Sequence, residues 1–216
     1  QHTLNSNMIA LFVVDAANNQ VIELISGQTA PITTTTSDTN GAYFTETVTF
    51  VGLLSLDSFR NLSVLMQGGI FGGSGSETIL ELRAQSNNSY MRLRADDHWD
   101  TVAYTQIENP FGSVGAAGVT DHTGLDSLCT TFGDNGTIYH DGVQKAAATL
   151  TIQDATEGDT IDVSLGGSKS SLSMVALYDF ELGGNQIEII AQDFLNLLSN
   201  SGNGLTVPSE GGTGNN

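Results

Sequence analysis

The sequence predicts an all-β protein, an antiparallel two-sheet β-sandwich with one short C-terminal α-helix. Three observations carry that expectation. Thr, Ser, Val and Gly are abundant, whereas Lys and Arg together number only six in 216 residues, too few for many solvated helices. Short segments of alternating polarity recur along the chain, separated by Gly- and Asn-containing turns. Only one stretch, near the end, has the apolar spacing of a helix.

The elements follow in order. Met8 to Val14 is an apolar run of strand length, broken by Asp15 to Gln20 with Asn18-Asn19. Val21 to Ile25 resumes it, and Gly27 stops it, so the pair reads as a hairpin. Thr33 to Thr36 is a polar β-branched tract, an edge strand or a loop. From Tyr43 to Val51, Phe44, Glu46, Val48 and Phe50 alternate with Thr45, Thr47 and Thr49, predicting one strand. Leu62, Val64 and Met66 alternate before Gly68-Gly69. Thr78 to Arg83 and Tyr90 to Arg94 alternate around Ser86-Asn87-Asn88-Ser89, as half-buried strands do. Leu125 to Phe132 and Thr137 to His140 flank Gly133-Asp134-Asn135-Gly136, whose Asn-Gly is a hairpin signal. Thr149 to Ile152, Thr160 to Leu165 and Ser173 to Tyr178 complete the strands. From Asn185 to Leu198, Ile187, Ile190, Phe194 and Leu197 recur at helical spacing, with Asn185 as the expected cap and Glu188 three residues on. Residues 1–198 are expected to form one domain. Residues 199–216, rich in Gly, Ser and Asn, bury little and are expected to be a tail or linker.

Charge narrows the function classes. Twenty-four acidic residues face six basic ones, a formal net charge of −18. Such a surface repels phosphate backbones, so nucleic acid is not an expected partner. The acidity suits either solubility in a salty or extracellular setting or the binding of hard divalent cations by carboxylates. Cys129 is the single cysteine, which rules out an internal disulfide and a cysteine-based zinc site; it reads as a small buried hydrophobe. No apolar run reaches 18 residues, so no membrane-spanning helix is expected. A start at Gln1 suggests processing or excision from a longer product.

Catalytic motifs are absent. The four histidines lack metalloprotease spacing, there is no Gly-x-Ser-x-Gly elbow, and the Gly-rich stretch Ile70 to Gly75 lacks the Lys-Ser/Thr of a phosphate loop. The Glu-x-Asp-x-x-Glu motif, which places two carboxylates on one strand in a retaining glycosidase, is not found. The chain is therefore expected not to be an enzyme. Asp96-Asp97-His98-Trp99-Asp100 is the most suggestive binding cluster. A sugar site pairs an aromatic platform with convergent polar groups, so Asp96, Asp97, Trp99 and Asp100 are the candidate ligand-binding residues. A cation site gathers oxygens, so Asp96, Asp97 and Asp100 are the candidate metal ligands, with calcium the fitting ion. The alternative is an acidic solvent-facing loop with Trp99 folded into the core.

Three stretches resemble the laminin-G-like and concanavalin-like sandwich superfamily. The opening, Met8 to Asp15 followed by Val21 to Gly27, resembles an apolar strand ending in Asp and a second ending in Ser-Gly. Gly136-Thr137-Ile138-Tyr139-His140-Asp141-Gly142-Val143 resembles the family's Asp-Gly-Val hairpin. Ile161 to Ala191 resembles its closing strands and helix. Where the family often carries a Trp-His pair before that hairpin, this chain reads Leu125-Asp126-Ser127-Leu128-Cys129. The resemblance covers residues 8–195 and implies a concanavalin-like jelly roll with a lectin-like role. Separately, Leu205 to Gly214, with Val207-Pro208 and Gly211-Gly212-Thr213-Gly214, resembles a linker of bacteriophage tail fibres. It implies a virion structural protein, on a virion surface or otherwise extracellular, assembled as a homo-oligomer with other virion or surface proteins and binding host glycans. The alternative is a secreted or cell-surface bacterial carbohydrate-binding or adhesion module.

Overall fold

A computed structural model describes residues 7–38, 41–44, 46–70, 77–97, 103–109, 112–119, 126–132, 135–140, 143–149, 155–166, 170–183, 185–187 and 189–190. Sixteen strands are found among them: β1 (Met8–Asp15), β2 (Gln20–Glu23), β3 (Thr29–Pro31), β4 (Thr34–Asp38), β5 (Gly41–Phe44), β6 (Val48–Leu56), β7 (Leu62–Ile70), β8 (Glu77–Ala84), β9 (Tyr90–Asp97), β10 (Ala103–Asn109), β11 (Gly112–Val119), β12 (Asp126–Phe132), β13 (Asn135–His140), β14 (Val143–Thr149), β15 (Asp159–Leu165) and β16 (Ser170–Tyr178). They form two antiparallel sheets. The ten-stranded sheet runs β14-β13-β12-β7-β16-β1-β2-β3, with β5 pairing the start of β16 and β4 pairing β5. The six-stranded sheet runs β11-β10-β9-β8-β15-β6. The chain crosses between sheets at β5 to β6, β6 to β7, β7 to β8, β11 to β12, β14 to β15 and β15 to β16. The expected two-sheet sandwich is the fold of the protein.

Alternation explains the core. In β8, Leu80, Leu82 and Ala84 point inward; in β15, Ile161, Val163 and Leu165 do. The facing sheet supplies Ala10 and Phe12 from β1, Val64 and Met66 from β7, and Val175 and Leu177 from β16. Phe12 and Phe50, from opposite sheets, meet with centroids 5.1 Å apart and planes at 56°, an arrangement aromatic pairs prefer over face-to-face stacking.

Two sequence expectations need correction. The alternation from Tyr43 to Val51 is not one strand: Gly41–Phe44 belongs to the ten-stranded sheet and Val48 onward to the six-stranded one. Alternation reports which side of a ribbon a residue takes, not which sheet the ribbon joins. Glu46, which falls on the apolar parity, lies exposed at the break. The helix cap is also not Asn185. Gly183 O accepts the Ile187 amide at 3.0 Å, and Gln186 Oε1 accepts the Gly183 N–H at 2.9 Å. That is the returning half of a capping box, with Gly183 as the cap and Gln186 as its third residue. Residues 185–187 and 189–190 are helical; the remainder of the expected helix, and the tail at 199–216, lie outside the described residues.

The helix start closes one side of the sandwich. Leu11, Leu65, Met174, Ala176 and Tyr178, on the outer face of the ten-stranded sheet, form a second apolar cluster with Leu182 and Ile187. Ser63 pins the crossing segment: its hydroxyl donates to Phe180 O at 2.8 Å and accepts the Leu182 amide at 2.8 Å. The outer face of this sheet over β1, β7 and β16 is therefore covered by the protein's own segment from Leu182 to Ile187.

Candidate functional site on the six-stranded sheet

Over β6, β15, β8 and β9 the outer face of the six-stranded sheet is mostly polar, with Val51 exposed at its edge strand. The same alternation that sends Leu82, Met91 and Leu93 inward sends Glu81 and Arg83 of β8, and Tyr90, Arg92 and Arg94 of β9, outward to half-buried positions. Register then aligns side chains across strands. Thr49, Ser164, Glu81 and Arg92 are successive partners, and Asp162, Arg83 and Tyr90 form the next row. Three strand spacings separate Thr49 from Arg92, about 14 Å.

The rows are held by direct contacts. The Thr49 and Ser164 hydroxyls lie 2.9 Å apart. Arg83 Nε donates to Glu81 Oε1 at 2.7 Å, and Arg92 Nε lies 3.8 Å from Glu81 Oε2. The Arg83 guanidinium carbon sits 5.0 Å from the Tyr90 ring centroid, and that of Arg92 sits 4.3 Å from it. One aromatic ring thus carries two cations, each within the range of cation–π attraction. The hydrogen bond to Glu81 holds the Arg83 guanidinium above its ordinary pKa, so it is cationic throughout the working range of pH.

A bulge shapes the edge. Gly52 in β6 adopts φ +61°, and the register of β6 with β15 shifts there. Asp162 Oδ1 accepts the Gly52 amide at 2.7 Å and Gln85 Nε2 at 2.6 Å. Beyond the bulge, a cleft of about 350 Å³ opens where β3 and β6 approach, lined by Pro31, Ile32, Thr33, Glu46, Thr47 and Thr49 among others. Thr49 belongs both to this cleft and to the first polar row.

The acidic cluster singled out in the sequence falls at the end of β9. Asp96 and Asp97 are its last two residues, paired in register with Tyr104 and Ala103 of β10. Trp99 and Asp100 lie outside the described residues, as does the Cys129 side chain. Among the described residues, no group of three or more His, Cys, Asp or Glu side chains is arranged to hold a metal ion. No helix among them is long and apolar enough to cross a membrane. Sequence reasoning passed over Arg83, Tyr90 and Arg92. The signal was present: three of the chain's six basic residues, Arg83, Arg92 and Arg94, fall in this one hairpin.

No protein-family model and no curated protein matches the chain. Solved structures do. The heptameric SAP-like pentraxin of Limulus polyphemus superposes with a TM-score of 0.55 at 12% identity, over 74% of this chain and 80% of that one. Trypanosoma rangeli sialidase in complex with sialic acid gives 0.61 at 13% identity, over 88% of this chain and 34% of the sialidase. Domain 4 of AbnA, a GH43 extracellular arabinanase from Geobacillus stearothermophilus, in complex with arabinotriose, gives 0.51 at 17% identity, over 86% and 98%. The fold is therefore an antiparallel two-sheet β-sandwich of the jelly-roll kind. At such identities the likeness carries the fold alone, and the chain spans about a third of the sialidase.

Proposed function

We propose that this protein is a non-enzymatic, lectin-like module that binds carbohydrate across the outer face of its six-stranded sheet. One observation carries the reading: over β1, β7 and β16 the outer face of one sheet is covered by Leu182 and Ile187, while the other sheet presents polar rows around an aromatic ring. Saccharides are recognised by such surfaces, because hydroxyls need donors and acceptors while the C–H face of a sugar ring packs on an aromatic. The row from Thr49 to Arg92 supplies Thr and Ser hydroxyls, a carboxylate and a guanidinium in one line, with Arg83 in the row beside it. The solved complex of the arabinanase domain with arabinotriose supports saccharide binding as a use of this fold.

Asp96 and Asp97 at the end of β9, with Trp99 and Asp100 following in the sequence, extend the proposed site, and Asp96, Asp97 and Asp100 are the residues that would hold calcium. The setting we propose is extracellular or on a virion surface, as a homo-oligomer; the segment Val207-Pro208 to Gly214 favours the virion. A glycan array probed with the full chain, with calcium and with chelator, tests the binding function. Saturable binding to a defined glycan set supports it, and an array with no specific signal in either condition refutes it. Electron microscopy of particles labelled with antibody to the chain tests the setting.

A further inference from the structure

We infer that the hairpin of β8 and β9 recognises the carboxylate of an acidic saccharide, with Arg83 as the group that receives it. The inference rests on the carbohydrate-binding reading above and names the ligand class for that face. It begins with charge. The chain has six basic residues against 24 acidic ones, yet three of the six lie on the outer side of two adjacent strands. The register sets acids beside them as well, Asp162 beside Arg83 and both Glu81 and Glu108 beside Arg92. On a molecule of net charge −18, this is where cations are concentrated.

The geometry of Arg83 fits an incoming carboxylate. Glu81 Oε1 takes the Nε proton, and the two Nη groups meet no other acceptor among the described residues. The side chain is 37% exposed. Its plane is fixed from two directions, by the Glu81 bond and by the Tyr90 ring 5.0 Å away, so little rotamer freedom remains to be lost on binding. A planar guanidinium with free parallel donors matches a carboxylate in a two-bond fork, whereas a neutral sugar hydroxyl occupies only one donor.

The test uses the full chain and matched pairs of oligosaccharides: uronate- and sialate-containing glycans, each beside its carboxyl-reduced counterpart, with sulfated glycans as a further arm. Binding is read by titration calorimetry after an array screen. At least one carboxylated glycan is expected to bind about tenfold or more tighter than its reduced counterpart, about 1.4 kcal/mol. Arg83→Gln is expected to abolish that preference, bringing the two members of the pair to equal affinity. Arg83→Lys, which keeps the charge but not the fork, is expected to restore only part of it. Unchanged near-ultraviolet circular dichroism separates lost recognition from lost folding. Equal affinity within every pair, or a preference that survives Arg83→Gln, overturns the inference and leaves the carbohydrate reading standing. A preference for sulfated over carboxylated glycans overturns the carboxylate assignment. No binding to any glycan removes both.

Discussion

Replacing Phe12 with alanine tests whether the two sheets share one core. Phe12 is fully buried on β1 of the ten-stranded sheet, and its ring contacts Phe50 of β6 in the facing sheet at 5.1 Å. Truncating a buried phenylalanine costs about 3–5 kcal/mol, the spread reflecting how far the site collapses around the cavity. Little collapse is expected here, because Phe12 lies between two hydrogen-bonded layers. In a chain of this size each kcal/mol lowers Tm by about 2–4 °C, so Phe12→Ala is expected to unfold roughly 6–20 °C early. Urea unfolding followed by far-ultraviolet circular dichroism gives the free energy, with the midpoint falling and the slope unchanged. A double-mutant cycle with Phe50→Ala isolates the contact between sheets. Coupling of at least about 0.5 kcal/mol is expected, since residues in contact are not additive. A loss below about 1 kcal/mol, or strict additivity, would refute the face-to-face packing of β1 on β6.

Three further outcomes follow from single positions. Ser63→Ala leaves the buried Leu182 amide without its acceptor and should cost about 1–3 kcal/mol in the same urea experiment; a neutral result would mean that the 179–183 crossing does not seal the ten-stranded sheet. Gly52→Val forces a branched side chain into φ +61° with a Cβ 3.1 Å from Thr160 Cγ2, and should lose about 1–3 kcal/mol; full stability would show that the bulge is not as described. Asp159 receives the Ser86 hydroxyl and, at 3.2 Å, the Ser86 amide, which hold its carboxyl below the ordinary value of 3.8. Because the folded pKa is the lower one, this stabilisation is present above about pH 4 and is lost as pH falls through the folded value. Stability of Asp159→Asn measured from pH 7 to pH 2.5 should therefore fall less steeply than that of the native chain, and parallel curves would discount the interaction.

The sequence made some of this legible. The hairpin of β8 and β9 could be read because period-two alternation stops at Ser86-Asn87-Asn88-Ser89, where Asn88 takes φ +57°, a conformation asparagine tolerates. The pairing of β12 with β13 was likewise legible from the break after Phe132, although Asn135 and Gly136 prove to be the first residues of β13 rather than part of a turn. By contrast, β10 and β11 gave no strong local signal: Gly112-Ser113-Val114-Gly115-Ala116-Ala117-Gly118-Val119 has little β-propensity, and its strand character comes from pairing with β10, itself paired with β9. The break between β5 and β6 was hidden because both segments keep the same alternation. At the site, the outward parity of Arg83, Arg92 and Arg94 was readable, but the rows that join them to Ser164 and Asp162 depend on a strand some 80 residues away. Long-range register of that kind is set by packing of the whole sandwich, not by local pattern. The acidic cluster at Asp96 to Asp100 drew attention because it is contiguous, whereas a surface assembled from four strands is not.

Amide chemical-shift mapping in a saccharide titration measures where a glycan sits. Using the tightest binder from the array, shifts are predicted to concentrate on Glu81 to Arg83, Tyr90 to Arg94 and Asp162 to Ser164, with Met174 to Tyr178 silent. Shifts confined to Met174 to Tyr178 and Leu182, or spread evenly over both sheets, would contradict the assignment of the open face.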